Sequence, residues 1–344
     1  MSDVSRAGQP SPGRDADAVR LHVVTGKGGT GKTTVAAALA LALASTGKTV
    51  LLCEVEGRQG IAQLFDVPPL PYEERLIASG TDDADGGTGH VYALAIDPES
   101  ALLEYLAMYY RLGRAGKALD RFGVIDFATT VAPGVRDVLL TGKVYEAVNR
   151  NRRGKNSRHY DAVVLDAPPT GRIAQFLNVN SELAGLAKVG PVRSQADTVM
   201  TLLRSRRTAV HLVTVLEDMP VQETADGIEE LRSIGLPVGA VVVNLTRSKE
   251  LAGEDRDRAL SGDLPREEVA ASLTHAGIAA GDALVDGLLD EAHAHATRRA
   301  LEDEQRSRID ALGVRTVELQ RLADGIDLGG LYELAADLDE QGLS

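Results

Sequence analysis

The chain has 344 residues, of which 44% are hydrophobic and 25% charged, and a formal charge of −13; this length can bury one large α/β core with insertions. The acidic balance disfavours a nucleic-acid binder, which needs a basic surplus to meet phosphates. Cys53 is the only cysteine, which excludes an internal disulfide framework, a CxxC metal clip and a cysteine-held iron–sulfur cluster within one chain.

Residues 1–19 are rich in Ser, Asp, Gly, Arg and Pro without an apolar segment, so they are expected to be a disordered tail and not a signal peptide. Residues 20–338 read as one domain. Apolar runs fall far short of the roughly 18 residues that span a bilayer, and we expect a cytoplasmic protein with no transmembrane segment.

The domain opens with the β-branched run Leu21–Thr25, followed by Gly26-Lys27-Gly28-Gly29-Thr30-Gly31-Lys32-Thr33-Thr34 and an apolar stretch from Val35 to Ala44. That order is strand, phosphate-binding loop and helix. Glycines let the backbone turn its N–H groups toward an anion, and the start of the helix adds partial positive charge. Lys32 is expected at the β/γ-phosphates and the Thr33 hydroxyl on Mg²⁺, with Gly28, Gly29, Thr30, Gly31 and Thr34 completing the cradle. The same glycines satisfy Gly26-x-Gly28-x-x-Gly31 of a dinucleotide fold, with Glu54 at a plausible distance for a ribose-binding acid. Lys32-Thr33 argues for a triphosphate and its metal instead.

Further strands are expected at Thr49–Val55, Val91–Ile96, Asp161–Asp166, Thr208–Leu216 and Val238–Asn244. Continuous apolar runs bounded by turn residues mark parallel strands covered on both faces, hence a doubly wound, mostly parallel α/β sheet. Ligands gather beyond the carboxyl ends of such strands, where Gly26, Glu56, Asp166, Glu217 and Asn244 fall. Cys53, inside the second run, reads as a small buried residue. Thr81 to His90 is Gly/Asp-rich and reads as a loop. About 98–158 is long for a crossover and holds Tyr105, Tyr109, Tyr110, Phe122 and Phe127, so it reads as an inserted helical subdomain. About 249–308 reads as a charged helical segment. Its His293 and His295 lie two apart, on opposite sides of a helix, and cannot clamp one ion; they read as surface residues. The basic clusters Arg150 to Arg158 and Arg204 to Arg207 read as solvated loop or helix ends.

Val163-Val164-Leu165-Asp166 followed by Ala167-Pro168-Pro169-Thr170-Gly171 is an apolar strand ending in a carboxylate, then a stiff turn. Asp166 can hold the Mg²⁺ shell through water, or merely cap the next helix. The turn suits a two-position switch that reports the γ-phosphate. Strand alternation places Glu54 and Glu56 on one side, so either could position an attacking water; a solvated acidic strand end with Arg58 as ion-pair partner is the plainer alternative. Asn244 follows a late strand, without the Asn-Lys-x-Asp of a guanine reader, and its amide could pair with adenine N6 and N7. ATP is therefore preferred to GTP.

The string GKGGTGKTT resembles the deviant Walker A loop shared by ParA, MinD, the nitrogenase iron protein and the ArsA-type ATPases, and the single cysteine sets the iron protein aside. With DAPPTG as a second switch, the chain resembles the ArsA-type family, that of the arsenite-pump ATPase and the tail-anchored-protein targeting ATPase, from about Leu21 to Asp337. VLLCEVEGRQGIAQLF lies over the family's first switch, with its catalytic Asp falling on Glu56, and Pro133-Gly134 lies over a Pro-Gly turn. The resemblance implies that Lys27 reaches across a dimer to the partner's phosphates, that Glu217 contacts the partner subunit and that Asn244 contacts adenine. It implies a Mg-dependent ATPase working as a homodimer or a heterodimer with a close paralogue, coupled to a protein client or membrane-associated partner, without nucleic acid. Glu56 adds a methylene at the reacting centre, where small displacements are costly, so slow turnover is expected. The targeting ATPase's zinc-binding cysteine pair is absent. The stretch between Asp166 and Thr208 is short and carries only Met200, unlike the Met-rich insertion of client-binding members. The competing expectation is an ATP-binding scaffold or ParA/MinD-like partition ATPase with little hydrolysis.

Overall fold

The computed structural model describes residues 19–81, 88–110, 133–150, 158–178, 191–247, 251, 253–323 and 325–344. The expected N-terminal tail therefore lies almost wholly outside the described residues, as do most of the Thr81–His90 loop and residues 111–132 and 151–157 of the expected helical insertion, with Phe122 and Phe127.

Among the described residues eight strands form one sheet: β1 (Leu21–Gly26), β2 (Thr49–Glu54), β3 (Arg75–Ser79), β4 (His90–Ala95), β5 (Ala162–Asp166), β6 (Thr208–Thr214), β7 (Val238–Thr246) and β8 (Thr316–Gln320), in the order β3-β4-β2-β5-β1-β6-β7-β8. Only the β3–β4 pair is antiparallel. The expected doubly wound α/β architecture is thus observed. The sequence reading missed β3 and β8, the two edges: both are five residues long and only partly buried, so neither shows the apolar run of a strand covered on both faces. It also carried β2 one residue too far and stopped β7 two residues early.

Helix α1 (Lys32–Ser45) fills the centre of one face. Val35 through Ala44 are all buried, because a helix of Ala and Leu has no polar side to turn outward. It packs on β1, β2, β5 and α11 (Leu328–Glu340). The opposite face carries α3 (Pro98–Tyr110), α4 (Pro133–Asn149), α5 (Thr170–Leu177), α6 (Pro191–Leu203) and α7 (Asp218–Ser233), with the short α2 (Gly60–Leu64) beyond β2. Alternation along β1 divides the two cores: Leu21 and Val23 face the α3–α7 side, and Val24 the α1 side. Val138, Leu140, Val144 and Val148 of α4 belong to the same core as β1 and β5, so this described part of the insertion is packed on the sheet.

The charged segment forms α8 (Gly253–Ser261), α9 (Arg266–His275) and the 29-residue α10 (Asp282–Asp310). Arg299 of α10 is buried between Glu302 and Asp303. His293 is exposed, as expected, while its Nδ1 lies 2.9 Å from the Ala259 carbonyl and holds α10 to α8; His295 is half-buried, with its Nε2 out of reach of solvent. Among the described residues no helix is long and apolar enough to cross a membrane.

Candidate functional site

The loop after β1 leaves the carboxyl edge between β5 and β6. Gly26 is required by close approach: a Cβ there would lie 2.1 Å from the Val213 carbonyl oxygen. Gly31 has φ +87° and a Cβ on it would fall 2.4 Å from Asn244 Nδ2, so two constraints demand glycine. By contrast, nothing lies within 4 Å of a Cβ built on Gly28 or Gly29. Their backbone faces open space, as a cradle for phosphate requires. Thr30 is buried, and its hydroxyl donates to the Lys27 carbonyl at 2.9 Å while its amide reaches the same oxygen at 3.3 Å. It holds the shape of the loop from within.

Lys32, Thr33 and Thr34 form the first turn of α1, all half-buried. Burial lowers the Lys32 ammonium below its usual range, while Asp166 and Glu56 oppose that drop. Thr33 Oγ1 donates to Asp166 Oδ2 at 2.7 Å, joining the two sequence motifs at one point because β5 lies directly beside β1. Asp166 has its carboxyl pushed up to about 6 by burial, with Glu54 and Glu56 adding to the rise and Thr33 and Lys32 opposing it. Glu54 is paired with Asp166 in the β2–β5 register. It is buried, its Oε2 accepts from the Ile61 amide at 3.4 Å, and its Oε1 has no partner. Adjacent, partly unsatisfied carboxylate oxygens are costly in a low-dielectric edge and are what a cation would relieve.

Strand β2 ends at Glu54, so alternation does not extend to Glu56, and the expectation that both acids share a side for that reason is corrected. Glu56 sits beyond the strand, less buried than Glu54, and 3.7 Å from Arg58. The segment is held by Gln59, at φ +57°, whose side chain brackets Leu70 through Nε2 to the carbonyl and Oε1 from the amide, at 3.1 and 2.7 Å. A cavity of about 860 Å³ opens beside Glu56, bordered by Tyr72, Arg136, Asp137 and Arg172. The proline turn is tied to β1, where Thr25 Oγ1 donates to the Pro168 carbonyl at 2.7 Å.

Three features were not foreseen from sequence. Lys27 does not point away freely: its Nζ lies 2.9 Å from Glu223 Oε1 on α7. Glu223 Oε2 also accepts from Thr170 Oγ1 of the proline turn at 3.3 Å, so one carboxylate joins the loop lysine to the second switch. Asn244 is buried, and its Nδ2 donates to the Thr30 carbonyl at 2.9 Å. One of the two Nδ2 hydrogens is thereby engaged on the loop, a contact across 214 residues that the sequence did not indicate. The next residue, Leu245, has φ +58° and lies where the β7–β8 register shifts; strained non-glycine backbone of this kind clusters at functional sites. Glu217 is exposed at the N-terminus of α7 and makes no side-chain cap.

A family profile described as an anion-transporting ATPase, ArsA_ATPase, matches residues 19–205. The chain belongs to the ArsA ATPase family. It is similar to ATPase BagA of Mycobacterium tuberculosis, 55% identical over 325 residues that cover 94% of each chain. The arsenical pump-driving ATPase of Acidiphilium multivorum is 27% identical over 330 residues, 90% of this chain and 53% of the relative. ATPase get3 of Neurospora crassa is 26% identical over 266 residues, 67% and 74% of the two chains. Membership of this family supports a nucleotide-dependent ATPase function.

Proposed function

We propose that the protein is a Mg²⁺-dependent ATPase that acts as a nucleotide-gated dimer, homomeric or paired with a close paralogue, in the cytoplasm, and that it couples nucleotide state to a protein client or membrane-associated partner. The observation that carries this reading is the convergence of Lys32, Thr33 and Asp166 at the mouth of an open glycine loop.

The donor set fits a divalent cation: hard oxygens of Thr33 and Asp166 sit together, with the unpartnered Glu54 Oε1 supplying further negative charge nearby. Thr33 and Asp166 would hold Mg²⁺, Asp166 through water, and the ion, when bound, neutralises charge on the phosphates. Mg²⁺ commonly keeps several waters and takes other ligands from a substrate phosphate, so two protein oxygens suffice for the proposed site. Gly28, Gly29 and Gly31 offer backbone amides to the phosphates, and Lys32 adds a point charge. Glu56 positions the attacking water, displaced from Arg58 to do so. Lys27 leaves Glu223 and contributes positive charge across the dimer, the role an arginine finger fills elsewhere. Because Glu223 also holds Thr170, release of Lys27 and movement of the proline turn are coupled, which gives the switch a physical route to α7. Asn244 fixes the loop through Thr30 and presents Oδ1 toward the adenine side. Glu217 contributes to the partner contact.

The deciding experiment is single-turnover hydrolysis of ATP with and without Mg²⁺, on the native protein and on Lys32→Ala and Glu56→Gln. Loss of binding and turnover in the first, and of turnover alone in the second, is expected. Unchanged binding and hydrolysis in Lys32→Ala would overturn the reading. Tight ATP binding with a rate near zero in both native and Glu56→Gln protein would replace the enzyme by an ATP-binding scaffold.

A further inference from the structure

Two contacts restrain the phosphate loop from outside it: Glu223 of α7 holds Lys27, and Asn244 in β7 holds the Thr30 carbonyl. Followed outward, both lead to one helix. On α7, Asp218 Oδ1 and Gln222 Oε1 accept from the guanidinium of Arg308 in α10 at 2.6 and 2.9 Å. These two residues are four apart and share a side of α7, while Glu223, about 100° further round, turns to the loop. Beyond β7, Arg247 lies three residues after Asn244 and donates through Nε to Glu302 of α10 at 2.8 Å.

The same end of α10 is fixed at further points. Arg306 forks onto Glu318 of β8 at 2.6 and 3.0 Å. Asp303 accepts from Arg306 at 3.1 Å and from Arg256 of α8 at 2.8 Å, and the buried Arg299 donates to Glu302 at 3.0 Å. All of these contacts use α10 residues between Arg299 and Arg308.

The preceding stretch of α10, Asp282 to Arg298, extends about 25 Å at the helical rise and carries α8 and α9. His293 meets the Ala259 carbonyl of α8, and Arg266 of α9 pairs with Asp282 and Asp286. Apolar support here is thin. No residue of α9 is buried, only Val285 is buried in α10 before Ala296, and Leu284 and Leu288 are exposed. One helix therefore has a clamped end, joined to both restraints on the phosphate loop, and a lightly packed end that follows it. Partly exposed ion pairs are individually weak and exchangeable, so the clamp can take up a second arrangement, and an α-helix transmits that shift along its length.

We propose that α8, α9 and α10 form an arm coupled to nucleotide state. When Lys27 leaves Glu223 and the loop closes on ATP, α7 and the end of β7 shift their contacts with Arg308 and Glu302, and the lightly packed end of the arm moves with α10. This rests on the reading of the loop as an ATP site, and it names the element that carries nucleotide state away from that site. Coupling of this kind is reciprocal, so loosening the clamp must alter nucleotide affinity.

The test is hydrogen–deuterium exchange of the full-length protein with and without a non-hydrolysable ATP analogue and Mg²⁺. Protection of residues 26–34 is expected together with a change of exchange rate across residues 253–298. Arg247→Gln combined with Arg308→Gln should keep the first response, lose most of the second, and alter affinity for the analogue about two- to fivefold, the range of partly exposed ion pairs, measured by calorimetry. Asp218→Ala combined with Gln222→Ala reaches the Arg308 contact from α7 and leaves α10 intact; it should weaken the response of the arm in the same direction. A protected loop with an unchanged arm, or an arm response that survives in both variants, would overturn the proposal. An unprotected loop would overturn the ATP reading itself, and the arm with it.

Discussion

The two edges of this sheet handle buried polarity in opposite ways. At the carboxyl edge the charges are many and engaged with one another: Thr33 with Asp166, Lys27 with Glu223, Glu56 with Arg58. Such contacts are exchangeable, since partly exposed ion pairs are worth under about 1 kcal/mol, and in the proposed function a triphosphate replaces them. At the amino edge, polarity is buried in a neutral pair of stacked histidines, His22 of β1 and His211 of β6, that the fold keeps from protonating. Burial lowers both, His22 well below its usual value and His211 to about 4, with Lys48 and His211 acting on the first and Arg315 on the second. One edge is therefore built to trade partners, and the other to hold a fixed protonation state.

The largest expected effect tests the trading edge. If Lys27 acts across a dimer, Lys27→Ala should lower kcat by about 1,000-fold while ATP affinity changes little, in the range of arginine-finger losses. Mixing it with protein carrying Glu56→Gln should restore part of the rate, which is measured as steady-state phosphate release.

Next comes the histidine edge. A histidine whose pKa is lowered by folding contributes stability that is fully present above the unfolded value, near 6.5, and is lost as pH falls through the folded value, about 4 for His211. At about 1.4 kcal/mol per unit, His211 alone should cost about 3 kcal/mol across that window, and His22 adds in the same direction. The other charged groups that face the pair are Arg20, Lys48, His159, Asp161 and Arg315. Denaturant midpoints between pH 7 and 4 should fall more steeply in the native protein than in His211→Gln; parallel curves would show that the pair is not held neutral.

A smaller effect separates loop support from base recognition. Asn244→Ala removes the bond to the Thr30 carbonyl and should cost about 1–2 kcal/mol, seen as weaker binding of ATP and GTP alike. Weakening confined to ATP would return Asn244 to reading adenine. The smallest concerns Glu223→Gln, which frees Lys27 and Thr170 from a half-exposed pair. Hydrolysis should rise about two- to fivefold, and the protein concentration giving half-maximal rate should fall. A lower rate would mean that Glu223 serves the closed state instead.

Much of the carboxyl edge was legible in the chain because its information is local. A phosphate loop and a strand-end aspartate each need only neighbouring residues to be recognised, and the continuous apolar runs around them announce a parallel sheet. The short edges β3 and β8 were missed because strands with one open side carry no such run. Glu56 was assigned a direction by alternation that ended one turn too soon, where the strand itself stopped at Glu54.

Strand order decided the rest. His22 and His211 are 189 residues apart, and Asn244 and Thr30 are separated by 214; in the sequence neither histidine stands out, and nothing local joins Asn244 to Thr30. Only the placement of β6 beside β1 stacks the two rings, and only the register shift after Val243 accompanies the turn of the Asn244 amide onto the loop. The chain's own spacing set which residues we propose for phosphate binding, because that chemistry fits within one loop and one helical turn. Which charges restrain that loop, and which helix those restraints lead to, was settled by long-range pairing of strands that no local pattern encodes.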